Sequence, residues 1–67
     1  MTPITFPGYG VGARDVTIIA ERITAWWQIE YNGEHGTCIQ LDNGKEIRIR
    51  AWPLEVDRAI VKAGGML

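Results

Sequence analysis

The chain has 67 residues, a formal net charge of −1, one cysteine and one histidine. That length holds a single domain with a thin core, burying about 60% of the surface its unfolded chain exposes. The near-neutral charge argues against a dedicated duplex-DNA binder, which is strongly basic, and against a highly acidic nucleic-acid mimic.

Residues 1–15 form a first, partly flexible segment. Within it Ile4-Thr-Phe6 suits a short edge strand bracketed by Pro3 and Pro7, which cannot donate to a ladder. Gly8-Tyr-Gly-Val-Gly12 follows as a mobile connector. It is not a phosphate loop, because Ala13 stands where a third glycine belongs and no Gly-Lys-Ser/Thr follows. Val16-Thr-Ile-Ile-Ala20 reads as a strand from its β-branched run. A helix capped by Asp15 competes, since Val16, Ile19, Ala20 and Ile23 also satisfy helical spacing. Glu21-Arg22 breaks the phase as a tight turn or bulge.

Ile23 to Tyr31 alternates as a strand, with Ile23, Ala25, Trp27, Ile29 and Tyr31 on one face and Thr24, Trp26, Gln28 and Glu30 on the other. An odd-length loop within Asn32–Gly36 would then place Trp27 and Ile29 in one buried layer with Ile39, Leu41 and Ile47. The stretch from Thr37 to Arg50 is a hairpin. A three-residue loop, Asp42-Asn43-Gly44, pairs Ile39 with Ile47 and Thr37 with Ile49, with Gly44 left-handed in a bulge. A helix from Pro53 to about Ala63 closes the fold. Proline suits its first turn, Glu55 and Asp57 its positive end, Arg58 and Lys62 its negative end, and Gly64-Gly65 its cap. Leu54, Val56, Ala59, Ile60, Val61 and Ala63 form its apolar stripe. The expected fold is α+β: a small, curled, barrel-like antiparallel sheet of four to five strands (16–51) followed by one C-terminal helix (53–63).

Small folds usually need a disulfide, a metal or a partner subunit. Cys38 alone excludes an internal disulfide, and His35 with Cys38 falls short of a structural zinc site, so no metal or other cofactor is expected. Self-association remains, and a homo-oligomer is the expected state. Met1-Thr-Pro-Ile-Thr-Phe-Pro7 lacks the pattern of an export signal, and no apolar run approaches a membrane span. With a lone thiol, this leads to a cytoplasmic setting without membrane contact.

Catalysis needs convergent groups, and the supply here is poor. Cys38 and His35 could meet as a thiolate pair, but no orienting third group or oxyanion donor accompanies them, so no catalytic residue is assigned and a non-enzymatic protein is expected. The contact candidates are Trp26, Trp52, Arg48, Arg50 and Tyr9, expected on the outer face of the sheet with Arg14 and Arg22 as neighbours. Aromatic and arginine side chains together make hot spots for a protein partner. The same set grips single-stranded nucleic acid, a partner the near-neutral charge disfavours. A structural role also competes, with the rings roofing the core and the arginines paired to Glu30 and Glu46.

Ile19-Ala-Glu-Arg-Ile23, Gly36-Thr-Cys-Ile-Gln-Leu-Asp-Asn-Gly-Lys45, Ile47-Arg-Ile49 and Pro53-Leu-Glu-Val-Asp-Arg-Ala-Ile60 carry a resemblance over about residues 18–63. In these stretches the chain resembles the small bacterial flagellar protein family FlbD. The Thr-x-Ile-x-Leu-x-Asn-Gly-Lys hairpin before a Glu-Val-x-x-x-Ile helix is its best part. The resemblance implies a cytoplasmic, non-enzymatic accessory protein with no catalytic residues to carry over. Residues and resemblance together lead to a binding or regulatory module, such as an accessory protein of a bacterium, or of a phage or mobile element that binds a host factor.

Overall fold

The computed structural model describes residues 1–63. In chain order they form β1 (Pro3–Phe6), β2 (Val16–Ile19), a 3-10 turn over Ala20–Arg22, β3 (Ile23–Tyr31), β4 (Glu34–Leu41), β5 (Glu46–Ile49) and α1 (Pro53–Lys62). The fold is α+β, as expected. The barrel-like curl is not found. Among the described residues the strands form two antiparallel sheets, β1-β2 and β3-β4-β5, and neither closes into a barrel. A bridge between Gly8 and Ile49 and a bond from the Arg50 amide to the Pro7 carbonyl (2.9 Å) tie the two sheets together. The expected glycine cap at Gly64-Gly65 lies outside the described residues.

The first sheet follows its alternation. Ile4 pairs with Ile18 and Phe6 with Val16, giving one apolar face, while Thr5 and Thr17 meet on the other with their hydroxyls 3.0 Å apart. The 3-10 turn at Ala20–Arg22 supplies the expected break of phase before β3.

The β4–β5 hairpin has the expected register, Thr37 with Ile49, Cys38 with Arg48 and Ile39 with Ile47. The Gly44 amide bonds the Leu41 carbonyl (3.0 Å) and the Leu41 amide bonds the Lys45 carbonyl (2.8 Å), closing a three-residue loop. Gly44 holds φ +88°, the left-handed bulge position. The Asn43 carboxamide accepts the Lys45 amide at 2.9 Å and stiffens the loop.

The β3–β4 turn departs from expectation. It uses only Asn32 and Gly33, with φ +53° and +81°, and Tyr31 pairs directly with Glu34. Two consecutive positive φ values make a type I′ turn, whose twist matches that of the flanking strands. An even loop shifts the register by one residue relative to an odd one, and one residue turns every side chain over. Trp26 therefore pairs with Ile39 on the core side, and Trp27 pairs with Cys38 on the outer side. A bulge between Ile23 and Ala25 lets Ile23 keep the core side with Trp26. Ile29 is buried as expected, but on the outer face opposite Gly36 rather than in a layer with Ile39 and Ile47.

The core is Phe6, Ile18, Ile39, Ile49 and Val56, with Trp26, Ile47, Ala59 and Ile60 packed around it. Thr37 is fully buried and donates its hydroxyl to the Ala51 carbonyl, so its polar atom is not stranded. α1 begins at Pro53, and the Glu55 carboxylate accepts the Trp52 amide at 2.9 Å, reaching back over the first turn. Trp26 then fastens the helix, donating its Nε1 proton to Asp57 Oδ1 at 2.7 Å. The helix stripe is narrower than the sequence suggests: Val56 is buried and Ala59 and Ile60 half-buried, whereas Leu54 and Val61 stay exposed.

The two neighbouring tryptophans should behave unlike each other. Trp26→Ala removes core packing and the tie to Asp57, and should cost about 2–4 kcal/mol in urea denaturation. Trp27→Ala should cost less than about 1 kcal/mol. Equal losses would contradict the register.

Candidate aromatic and arginine contact face

Three cross-strand rows build the outer face of the three-stranded sheet. Trp27, Cys38 and Arg48 make one row, Ile29 and Gly36 a second, and Tyr31 and Glu34 a third. α1 packs on the opposite side through Trp26 and Val56, so this face has no helix over it among the described residues. Trp27 is 40% exposed and Tyr31 50%, and Arg48 is exposed beside them.

Tyr9 reaches this face from the glycine-rich loop. A methyl group added at Gly36 would lie 2.6 Å from the Tyr9 ring and 2.6 Å from the Ile49 carbonyl, so only glycine lets the ring approach the strand this closely. The Tyr9 hydroxyl donates to the Glu34 carbonyl at 2.8 Å, and its ring meets Tyr31 edge-on with centroids 6.1 Å apart. Arg48 places its guanidinium 5.6 Å from the centre of the Tyr31 ring, a cation–π contact. Arg50 binds Glu34 at 3.2 Å.

The expected contact residues therefore divide. Tyr9, Arg48 and Arg50 sit on the outer side as expected. Trp26 does not; the even Asn32-Gly33 turn sends it to the core and puts Trp27 in its place. Trp52 lies at the other side of the sheet, 50% exposed and stacked on His35 with centroids 5.0 Å apart. It shares with Arg50 a cleft lined by Gly33, Glu34, His35 and Ala51. Arg22 is held by Asp42 at 3.2 Å, and Arg14 is exposed in the loop. Trp27 and Tyr31 complete the face without being among the expected contact residues; for Tyr31 the available signal is its position beside Asn32-Gly33 at a strand end.

The arginine partners also differ from those expected. Arg50 pairs with Glu34, while Glu30 lies 3.8 Å from the His35 ring and Glu46 approaches Cys38. His35 and Cys38 are three residues apart on one strand, so their side chains leave opposite faces and form no thiolate pair. Cys38 is only 4% exposed, and burial, reinforced by the Glu46 charge, pushes its thiol above the ordinary value. No cluster of metal-binding side chains occurs among the described residues.

Two measurements check this face. Gly36→Ala should destabilise the fold by about 1–3 kcal/mol, because both the Tyr9 ring and a carbonyl must move. Cys38 should react with iodoacetamide at pH 8 at least about tenfold more slowly than free cysteine. Its raised value also fixes a sign. As pH climbs through the ordinary thiol range the unfolded chain loses its proton first, so stability falls until the folded thiol ionises too. A search of protein-family models, curated proteins and solved structures finds no significant match to this chain.

Proposed function

We propose that the chain is a small, non-enzymatic binding or regulatory module that works through protein–protein contacts and assembles as a homo-oligomer. The outer face of β3–β5 carries this reading. Trp27, Tyr31, Tyr9, Arg48 and Arg50 converge there, uncovered among the described residues. Exposed aromatic rings beside arginine are the composition of interface hot spots, where a planar guanidinium and a rigid ring give large contact area at small entropic cost. Tyr9 and Arg48 are already held by neighbours, so little further ordering is needed on binding. The separation of Cys38 from His35 and the raised thiol support the non-enzymatic part. The resemblance to FlbD supports a cytoplasmic accessory role, and a phage or mobile-element protein acting on a host factor fits the same surface.

One observation favours a second reading, a single-stranded nucleic-acid module. Arg48 over the Tyr31 ring, with Tyr9 beside it, is a grip suited to a phosphate and a stacked base. Glu34 and Glu46 on the same side, and the net charge of −1, weaken it.

The two readings separate in one set of measurements. Affinity capture from the source cell should recover a partner with the wild-type chain and with Trp52→Ala, but not with Trp27→Ala/Arg48→Ala. Titration with an unstructured oligonucleotide at low salt should give no binding. A salt-dependent complex lost in Arg48→Ala/Arg50→Ala would instead select the nucleic-acid reading.

A further inference from the structure

We infer that a second copy of this chain pairs antiparallel with the free edge of β3, about a two-fold axis at Gln28, to build one six-stranded sheet. This deepens the self-association part of the reading above and does not depend on the outer-face partner.

The backbone geometry identifies the free groups. A strand residue directs its N–H and C=O to one side, and successive residues alternate. Leu41 is bonded to Lys45 of the hairpin, so Leu41, Ile39 and Thr37 serve β5. Cys38 and Gly36 therefore serve β3 through Trp27 and Ile29. Trp26, Gln28 and Glu30 are left with their N–H and C=O pointing away from the sheet. Among the described residues no strand takes them.

Strand symmetry selects a second copy as the occupant. The bulge between Ile23 and Ala25 ends the regular ladder on one side and the Asn32-Gly33 turn ends it on the other, so the regular stretch is 25–31 and its midpoint is Gln28. Antiparallel pairing about that midpoint sets Gln28 opposite Gln28 of the second copy and Trp26 opposite Glu30 of the second copy. Every outward donor then meets an outward acceptor, the self-complementarity that a two-fold interface requires. Glu30 is the only charged residue of the stretch, and this register keeps it from facing its own copy. On the outer face, Trp27 falls beside Ile29 of the second copy and Tyr31 beside Ala25 of the second copy, which shelters one flank of each ring and leaves its outward surface free. The edge also lacks the lysine, proline or short length that usually guards against such pairing. A 67-residue domain without disulfide gains most from this source of stability.

The test is sedimentation equilibrium of the full chain from low to high micromolar concentration. The wild type should be a dimer. Gln28→Pro should be monomeric with an unchanged circular-dichroism spectrum, because it removes a donor that faces solvent within the protomer and edge strands tolerate proline there. Gln28→Lys and Gln28→Glu keep every backbone donor. Each alone should weaken the dimer several-fold by placing like charges opposite one another, and an equimolar mixture should restore it as a heterodimer. A wild-type monomer at every concentration overturns the inference. So does a dimer unmoved by Gln28→Pro or by the two charge variants, which would mean another surface associates. The outer-face reading is judged separately, by partner capture with the Gln28→Lys variant, whose Trp27, Tyr31 and Arg48 are intact.

Discussion

Asn32 and Gly33 both hold positive φ, and the face taken by each side chain of β3 from Ala25 to Tyr31 follows from that two-residue turn. With Tyr31 locked to Glu34, Trp26 has no option but the core and Trp27 none but the outer surface. The consequences spread. Trp26 reaches Asp57 and orients α1, α1 brings Val56 onto Ile39 and Ile49, and among the described residues the helix covers one side of the sheet. Glycine at position 33 matters because a side chain there would resist the left-handed angle, at a cost of about 1 kcal/mol or more.

The hairpin from Thr37 to Arg50 was legible because its alternation is unambiguous: Ile39, Ile47 and Ile49 leave one register with a clean apolar face, and Asn43-Gly44 supplies the bulge. The 53–62 helix was legible from Pro53 and the spacing of Val56, Ala59 and Ile60. The alternation of residues 23–31 marks β3 as a strand but does not carry its phase. Two adjacent tryptophans offer an apolar residue to either face, and the bulge after Ile23 makes Ile23, Ala25 and Ile29 look like one stripe when Ile23 belongs with Trp26. Gly36 is ambiguous in the same way. In a polar segment holding two glycines it resembles a turn residue, whereas it is a strand residue whose missing side chain admits the Tyr9 ring. That requirement comes from a residue 27 positions earlier, and no local pattern records it.

Exposed aromatics on the outer face have a structural use as well as a binding one, and the two are coupled. Cys38 and Ile29 are 4% and 8% exposed on a face that no helix covers among the described residues. Their shelter comes from neighbours on that face: Trp27 and Arg48 flank Cys38 across the sheet, and the Tyr9 ring lies on Gly36, the residue paired with Ile29. The described residues hold one α-helix, which lies on the other side, so large side chains act as the roof here. The parts of those side chains that shelter the sheet are fixed by it, and their remaining surface faces outward already ordered. Rigid, half-exposed rings beside a held guanidinium lose little entropy when a partner arrives. The thinness of the fold thus produces both features at once, a roof made of a few large residues and a surface prepared for contact.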